Sequence, residues 1–236
     1  MGDKKKDTRL AMPLLSIIVP IYNEAKTVRQ ILSKINSVNI DKEIIIVDDG
    51  STDGADKILG DIRCDNLKVI HHISNRGKGA AFLTGLANAK GEFAIIQDAD
   101  LEYDPNDYLT LFDSIKRNNA DMVLGARFLK GYRGLLMHRL GNRFLTYTMN
   151  FLFGSKLNDY ATCYKLARRV TFESLSLRAT GFEVDAEIIC KALKKKLKIK
   201  EEHVSYHPRA YSEGKKIRFK DALWAVFYMA KFRFIK

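Results

Sequence analysis

Short runs of apolar, often β-branched residues recur along the N-terminal half of the chain: Leu14 to Val19, Glu43 to Asp48, Leu67 to His71 and Phe93 to Gln97. Runs of this length, bounded by turn residues, predict buried strands. Between the first two, Val28, Ile31, Leu32 and Ile35 fall at helical spacing and predict an amphipathic helix over Glu24 to Ser37. A second helix is predicted after the turn and capping residues Asp49 to Asp53, and a third from Ala80 to Ala89 after the loop Asn75 to Gly79. Strands alternating with helices predict the α/β class, with a mostly parallel central sheet flanked by helices on both faces. Ligands of such sheets sit beyond the carboxyl ends of the strands. The polar clusters after Val19, Val47, His71 and Gln97 all lie at those ends, so one composite site is expected.

The pattern changes after Met122. From there to Asn158 there is no acidic residue, and Arg127, Lys130, Arg133, Arg139, Arg143 and Lys156 are interleaved with leucines, methionine and phenylalanines, as in a basic, apolar, helical segment. A second such stretch closes the chain, where Lys215, Lys216, Arg218 and Lys220 precede Leu223 to Met229 and then Lys231, Arg233 and Lys236. The layout predicted is a polar tail over 1–12, a catalytic domain over 13–220 with a basic amphipathic insertion at 128–158, and a C-terminal amphipathic helix over 221–236. Both basic stretches suit helices lying in a membrane interface; the other reading is helices docked on the sheet, in a homodimer or against a membrane-protein partner. The longest uncharged run here, Phe144 to Ser155, is shorter than the roughly 18 residues a spanning helix needs.

Composition narrows the partners. The chain has 236 residues, with 40 Lys and Arg against 28 Asp and Glu, a formal charge of +12 that calls for an anionic partner: nucleic acid, a phosphorylated small molecule or an anionic membrane surface. No nucleic-acid-binding signature or basic, aromatic-interleaved groove is evident, so no nucleic-acid partner is expected. Cys64, Cys163 and Cys190 offer neither a disulfide framework nor a metal-ligand spacing, and fit a reducing, cytoplasmic setting. The lysine run Lys191 to Lys200 reads as a solvated helix end. His71 and His72 have no Cys or His partner at zinc-ligand spacing and read as packing or a polar turn.

Four strand-end clusters carry candidate chemistry. In Asp98-Ala99-Asp100, residues two apart point to the same side of an extended chain, so both carboxylates can meet one cation, and Glu102 continues the alternation. Oxygen donors of this kind suit a hard ion such as Mg²⁺ or Mn²⁺, although an isolated Asp-x-Asp is more often a solvated turn. Asp48-Asp49-Gly50-Ser51 and Pro20-Ile21-Tyr22-Asn23-Glu24 end neighbouring strands, which favours a shared site. Asn75-Arg76-Gly77-Lys78-Gly79 leads into a helix, where backbone N–H groups and a lysine would suit phosphate. Phe82 stands where a dinucleotide fingerprint needs glycine, so that reading is weak.

Taken in order, Pro20-x-Tyr22-Asn23-Glu24, Asp48 to Asp53, Asn75 to Gly79, Asp98-Ala99-Asp100 and Gly125-Ala126-Arg127 resemble the motifs of a family 2 glycosyltransferase of the GT-A fold. Within that family the chain is most similar to the polyprenyl-phosphate hexosyltransferases, of which dolichyl-phosphate mannose synthase is a type, from Leu14 to about Lys220. Asp159 to Lys165 and Arg209 to Lys215 resemble two later motifs of that subgroup, with Cys163 in place of a usual glycine and Ser212 and Gly214 exchanged.

The resemblance implies an inverting transfer of a hexose from a GDP- or UDP-sugar to a polyprenyl phosphate, on the cytoplasmic face of a membrane to which the enzyme is peripherally bound. The alternative is transfer to a sugar hydroxyl of a glycan or cell-envelope acceptor. It places Pro20, Tyr22 and Glu24 beside the nucleobase, Asp49 near the base or ribose, and Asp98, Asp100 and Glu102 around a Mg²⁺ or Mn²⁺ ion. Arg127, Arg209 and Lys215, with Lys78 a weaker candidate, match positions near the donor diphosphate and acceptor phosphate. The family often places an acceptor-side carboxylate where Gly181 to Glu187 stands. Asp185 is therefore either a base or one of several acids complementing a helix N-terminus.

Overall fold

The computed structural model describes residues 13–129, 136–209 and 219–234. The elements run β1 Leu15–Ile21, α1 Val28–Ser37, β2 Lys42–Asp48, α2 Ala55–Gly60, β3 Leu67–His71, α3 Lys78–Asn88, β4 Phe93–Ile96, α4 Asp107–Asn118 and β5 Met122–Ala126. They continue with α5 Leu136–Phe153, β6 Lys165–Arg168, α6 Arg169–Ser174, α7 Val184–Lys194, β7 Ile199–His203 and α8 Phe219–Phe234.

One sheet holds seven strands in the order β3-β2-β1-β4-β6-β5-β7. All neighbours are parallel except β6, which runs antiparallel to both β4 and β5. Strands β1, β4 and β5 are buried almost residue by residue, without the in-out alternation of a one-sided sheet, which is what helices on both faces produce. The order reverses at β1: the chain steps outward through β2 and β3 and returns to β4 on the other side of β1. Loops leaving β1 and β4 therefore diverge, and a crevice opens between them. The Pro20 to Glu24 and Asp98 to Asp100 segments stand at that crevice.

Three boundaries differ from expectation. Helix α1 starts at Val28 and not at Glu24, because Asn23 turns the chain at φ +56° and the amides of Thr27 and Val28 both donate to the Glu24 carbonyl. Asparagine tolerates that left-handed conformation better than most side chains. The basic stretch expected to be helical begins instead with the fully buried strand β5, and its helix is confined to α5. The lysine run divides, with α7 ending at Lys194 and β7 beginning at Ile199.

Helix α8 packs against α5 and α7. Lys194 Nζ donates to the Phe232 carbonyl at 3.0 Å, and Arg233 Nε donates to the Leu152 carbonyl at 2.9 Å. Met149 of α5 and Met229 of α8 are buried, whereas Leu140, Phe144, Tyr147 and Phe151 of α5 and Leu223, Trp224, Phe227 and Phe234 of α8 are exposed. Among the described residues, no helix is long and apolar enough to cross a membrane.

Candidate active site

The loops after β1 and β2 are fastened to each other. Asn23 Oδ1 accepts from the Thr52 amide at 2.8 Å, the Asn23 amide donates to Ser51 Oγ at 2.9 Å, and the Ala25 amide donates to Asp53 Oδ2 at 2.8 Å. These bonds explain why Asn23, Ser51 and Asp53 belong to their motifs: they set the shape of the crevice wall that carries Tyr22 and Glu24. Gly50, at φ +72°, is required there, since a Cβ would lie 2.7 Å from the Ser74 carbonyl carbon.

Asp48 and Asp49 are both buried. Asp48 accepts from the Ser51 amide at 3.1 Å and pairs with His71 Nδ1 at 3.0 Å. Asp49 accepts from the Arg76 amide at 3.0 Å and the Gly77 amide at 2.7 Å, and pairs with His72 Nδ1 at 2.6 Å. The Ala80 amide donates to the Thr180 carbonyl at 2.9 Å. The Asn75 to Gly79 loop is therefore not the open phosphate cradle expected: two of its N–H groups are engaged by Asp49, and the start of α3 is docked on the segment before α7.

Lys78 also points inward. Its ammonium lies 2.9 Å from Asp98 and 3.4 Å from Asp185, and the fully buried Lys165 reaches Asp185 at 2.6 Å while donating to the Thr162 carbonyl. Burial opposes the charge on Lys78, but Asp185 and Asp98 outweigh it and hold the ammonium well above its usual pKa. Burial likewise pushes the Asp185 carboxyl up, and Lys165 and then Lys78 more than reverse it, leaving a carboxylate below its ordinary range.

The second half of the site is a strap following β7. Tyr206 bridges to Tyr103, and its hydroxyl donates to Glu102 Oε2 at 2.8 Å. The Arg209 amide donates to Glu102 Oε1 at 2.8 Å, and its guanidinium spans Glu24 at 3.3 Å and Asp100 at 3.2 Å. Asp100 is pushed up to about 7, chiefly by burial and then by Asp98 and Glu102, against the pull of Arg209. Among the described residues, five carboxylates (Glu24, Asp98, Asp100, Glu102, Asp185) thus meet three cations (Lys78, Lys165, Arg209) across the crevice.

That negative excess, set among hard oxygen donors, suits a divalent cation. Asp98, Asp100 and Glu102 supply donors of that kind, each with both oxygens engaged: Asp98 by Lys78, Asp100 by the Glu102 amide and Arg209, and Glu102 by the strap. Among the described residues no three His, Cys, Asp or Glu side chains are gathered to hold an ion.

Arg127 is engaged within the protein. Its guanidinium makes a two-pronged pair with the fully buried Asp159, at 2.7 and 2.8 Å, and lies 5.1 Å over the Tyr206 ring. It anchors β5 to the segment before β6 and supports the strap, and it does not reach the carboxylates of the crevice. Glu183 accepts from the Gly181 amide at 3.1 Å, as an acid at a helix entry does. Pro20 and Tyr22 lie on the β1 side of the crevice, and Lys215 lies outside the described residues. Motif reading quoted Asn23, Asp159 and Lys165 without giving them a role, and read His72 as packing or a polar turn. For His72 a signal was present: Asp48 and His71 are in register on parallel neighbours, so Asp48-Asp49 faces His71-His72.

Comparison with known proteins places this geometry. The sequence model of Glycosyl transferase family 2 matches residues 16–176. The chain belongs to that family. It is 29% identical over 204 residues to the low-salt glycan biosynthesis hexosyltransferase Agl6 of Haloferax volcanii, covering 84% of this chain but 48% of the relative, so it spans about half of that protein. It is 30% identical over 214 residues to the UDP-N-acetylglucosamine–dolichyl-phosphate N-acetylglucosaminyltransferase of Methanococcus voltae, covering 81% and 85% of the two chains. Among solved structures it resembles glucosyl-3-phosphoglycerate synthase of Mycobacterium tuberculosis in complex with Mn²⁺, UDP and glucosyl-3-phosphoglycerate. That likeness has a TM-score of 0.68 at 20% identity over 94% and 80% of the chains. The fold is GT-A, and this family 2 glycosyltransferase carries its motifs at the crevice where the strand order reverses.

Proposed function

We propose that this glycosyltransferase moves a hexose with inversion from a UDP- or GDP-sugar to a polyprenyl phosphate at an anionic membrane surface. The observation that carries the reading is the state of Asp185. The acceptor-side carboxylate is clamped by Lys165 and Lys78 and held below its ordinary pKa, which makes it a poor proton acceptor. A sugar hydroxyl needs a base; a phosphate monoester, with a second pKa of about 6, arrives ionised at neutral pH. The name of the Methanococcus relative, with its dolichyl-phosphate acceptor, agrees with this choice.

In the proposed reaction an acceptor phosphate oxygen attacks the anomeric carbon, the bond to the donor diphosphate breaks, and nucleoside diphosphate departs. Tyr22 and Pro20 flank the base. Asp49, with three of its roughly four acceptor positions engaged, has one left for a base N–H. Asp98 and Asp100 would hold Mg²⁺ or Mn²⁺, which supplies charge stabilisation at the leaving diphosphate. Arg209 exchanges Glu24 and Asp100 for phosphate oxygens, with Lys78 as a further cation of the crevice.

The apolar half of the acceptor has a counterpart in α5 and α8. Leu140, Phe144, Tyr147 and Phe151 form one exposed stripe, flanked by the exposed Arg139 and Arg143, and α5 contains no acid. Burying a Leu or Phe contributes about 1.5–3 kcal/mol, and each Lys or Arg near anionic lipid about 1 kcal/mol, so a few of each suffice for peripheral attachment. The cytoplasmic leaflet carries such lipids.

The test is incubation with UDP- and GDP-sugars and Mn²⁺ or Mg²⁺, offering polyprenyl phosphate, free polyprenol and a soluble glycan, with products read by mass spectrometry. Sugar on the polyprenyl phosphate alone is expected. Transfer to the glycan and none to the lipid phosphate would establish the hydroxyl-acceptor reading instead.

A further inference from the structure

The donor site contains a side chain to which neither the motifs nor the proposed reaction give a part. His72, at the end of β3, is almost wholly enclosed, its side chain 5% exposed. Ring Nδ1 lies 2.6 Å from Asp49 Oδ1, ring Nε2 lies 2.9 Å from Thr84 Oγ1 on α3, and the His72 amide donates to the Asp48 carbonyl at 2.8 Å. Both Asp49 oxygens already accept backbone N–H groups, from Arg76 and from Gly77, so the ring nitrogen facing Asp49 carries the proton. In the neutral ring Nε2 is then the acceptor, and the Thr84 hydroxyl donates to it.

One carboxylate thus joins three segments: the end of β2, the end of β3 with α3 behind it, and the loop that delivers Lys78. We propose that His72 is a positioning residue of the donor site, its Nδ1–H fixing the Asp49 carboxylate so that the remaining acceptor position faces the nucleobase and the 76–77 amides stay in place. The inference rests on the donor-site reading above. His72 does not touch the donor; it acts through Asp49. The ring also sets the distance between Asp49 and Thr84, so the pocket wall and helix α3 move as one body.

The amide nitrogen of asparagine can stand near ring Nδ1, and that of glutamine near ring Nε2, so the two substitutions separate the contacts. Titration calorimetry of UDP and of GDP into the full chain, without acceptor, is the primary readout; thermal melts and sugar-nucleotide kinetics accompany it. For the nucleotide that the wild type binds, His72→Ala and His72→Gln are expected to weaken affinity about tenfold, the scale of one lost hydrogen bond to a charged group. His72→Asn recovers most of that loss. KM for the sugar nucleotide rises in step while kcat changes little.

Thr84→Val keeps the Asp49 contact but frees the far side of the ring, and gives an intermediate loss. It decides the matter if the alanine and glutamine variants do not fold, and unchanged affinity there overturns the proposal. So does an alanine variant that binds as tightly as wild type, or an asparagine variant no better than glutamine. A wild-type chain that binds neither UDP nor GDP removes the donor-site reading itself, and this proposal with it.

Discussion

Asp185 stands in the first turn of α7, where a helix dipole alone would welcome a carboxylate, yet its oxygens face two lysines. Lys165 is fully buried, so removing its partner leaves an uncompensated charge in the core. Asp185→Asn is therefore expected to cost about 3–5 kcal/mol, a fall in Tm of roughly 10 °C for a chain of this size. The pH dependence has a definite sign. A carboxyl held below its unfolded value of about 3.9 contributes stability above that pH and loses it as pH falls toward the folded value. Wild type should lose stability on acidification below about pH 4 more steeply than Asp185→Asn, a difference that melts across that range will show. Asp100 tests the other half of the site. Asp100→Ala should lower metal-supported turnover about a hundredfold or more, and activity retained in that variant with chelator present would exclude Asp98 and Asp100 as the ion's holders. Asp98 and Asp100 were legible as a pair of acids at a strand end, although β4 stops at Ile96 and both stand in the loop and turn that follow it, not on an extended strand. Lys165, His72 and Asp159 were not, because each has its meaning only beside a partner 20 to 32 positions away.

At the scale of elements, what could be read locally was read well. The apolar runs marked β1 to β4, and the apolar spacing marked α1, since each is set by its own side chains meeting a buried surface. The antiparallel insertion of β6 between β4 and β5 was not readable, because pairing partners are chosen by the whole sheet and Lys165 to Arg168 is no more apolar than a loop. The docking of α3 on the segment before α7 belongs to the same class of contact. Gly77 sits at φ +96°, and a Cβ there would run into the Thr180 carbonyl. Gly77→Ala is expected to destabilise by more than about 1 kcal/mol and to weaken nucleotide binding, since its amide is one of the two that hold Asp49. The stripe on α5 predicts the reverse combination. Phe144 and Phe151 are 61% and 78% exposed, so Phe144→Glu with Phe151→Glu should leave Tm nearly unchanged. Flotation with anionic vesicles should nevertheless weaken; a double variant that floats as wild type would assign the stripe to another partner.

Among the described residues, carboxylates gather at the crevice while exposed arginines and lysines flank the apolar faces of α5 and α8. A soluble protein held on lipid by charge alone should leave it once salt screens the attraction. One held by aromatic burial as well should not leave completely. Raising salt from about 0.1 M to about 1 M shortens the Debye length from about 10 Å to about 3 Å, which removes most of the electrostatic share and none of the hydrophobic one. Flotation with anionic vesicles is therefore expected to fall steeply over that range to a residual plateau. The Phe144 and Phe151 double variant should have no plateau, and neutral vesicles should reproduce the plateau at every salt concentration. Turnover of a short, water-soluble polyprenyl phosphate should ignore the vesicles throughout, because the residues proposed to handle the donor lie in the crevice and not on the apolar faces. If that soluble acceptor instead requires vesicles for turnover, the membrane acts on the crevice itself, and α8, packed on the helix that carries Asp185, is the route by which it would do so.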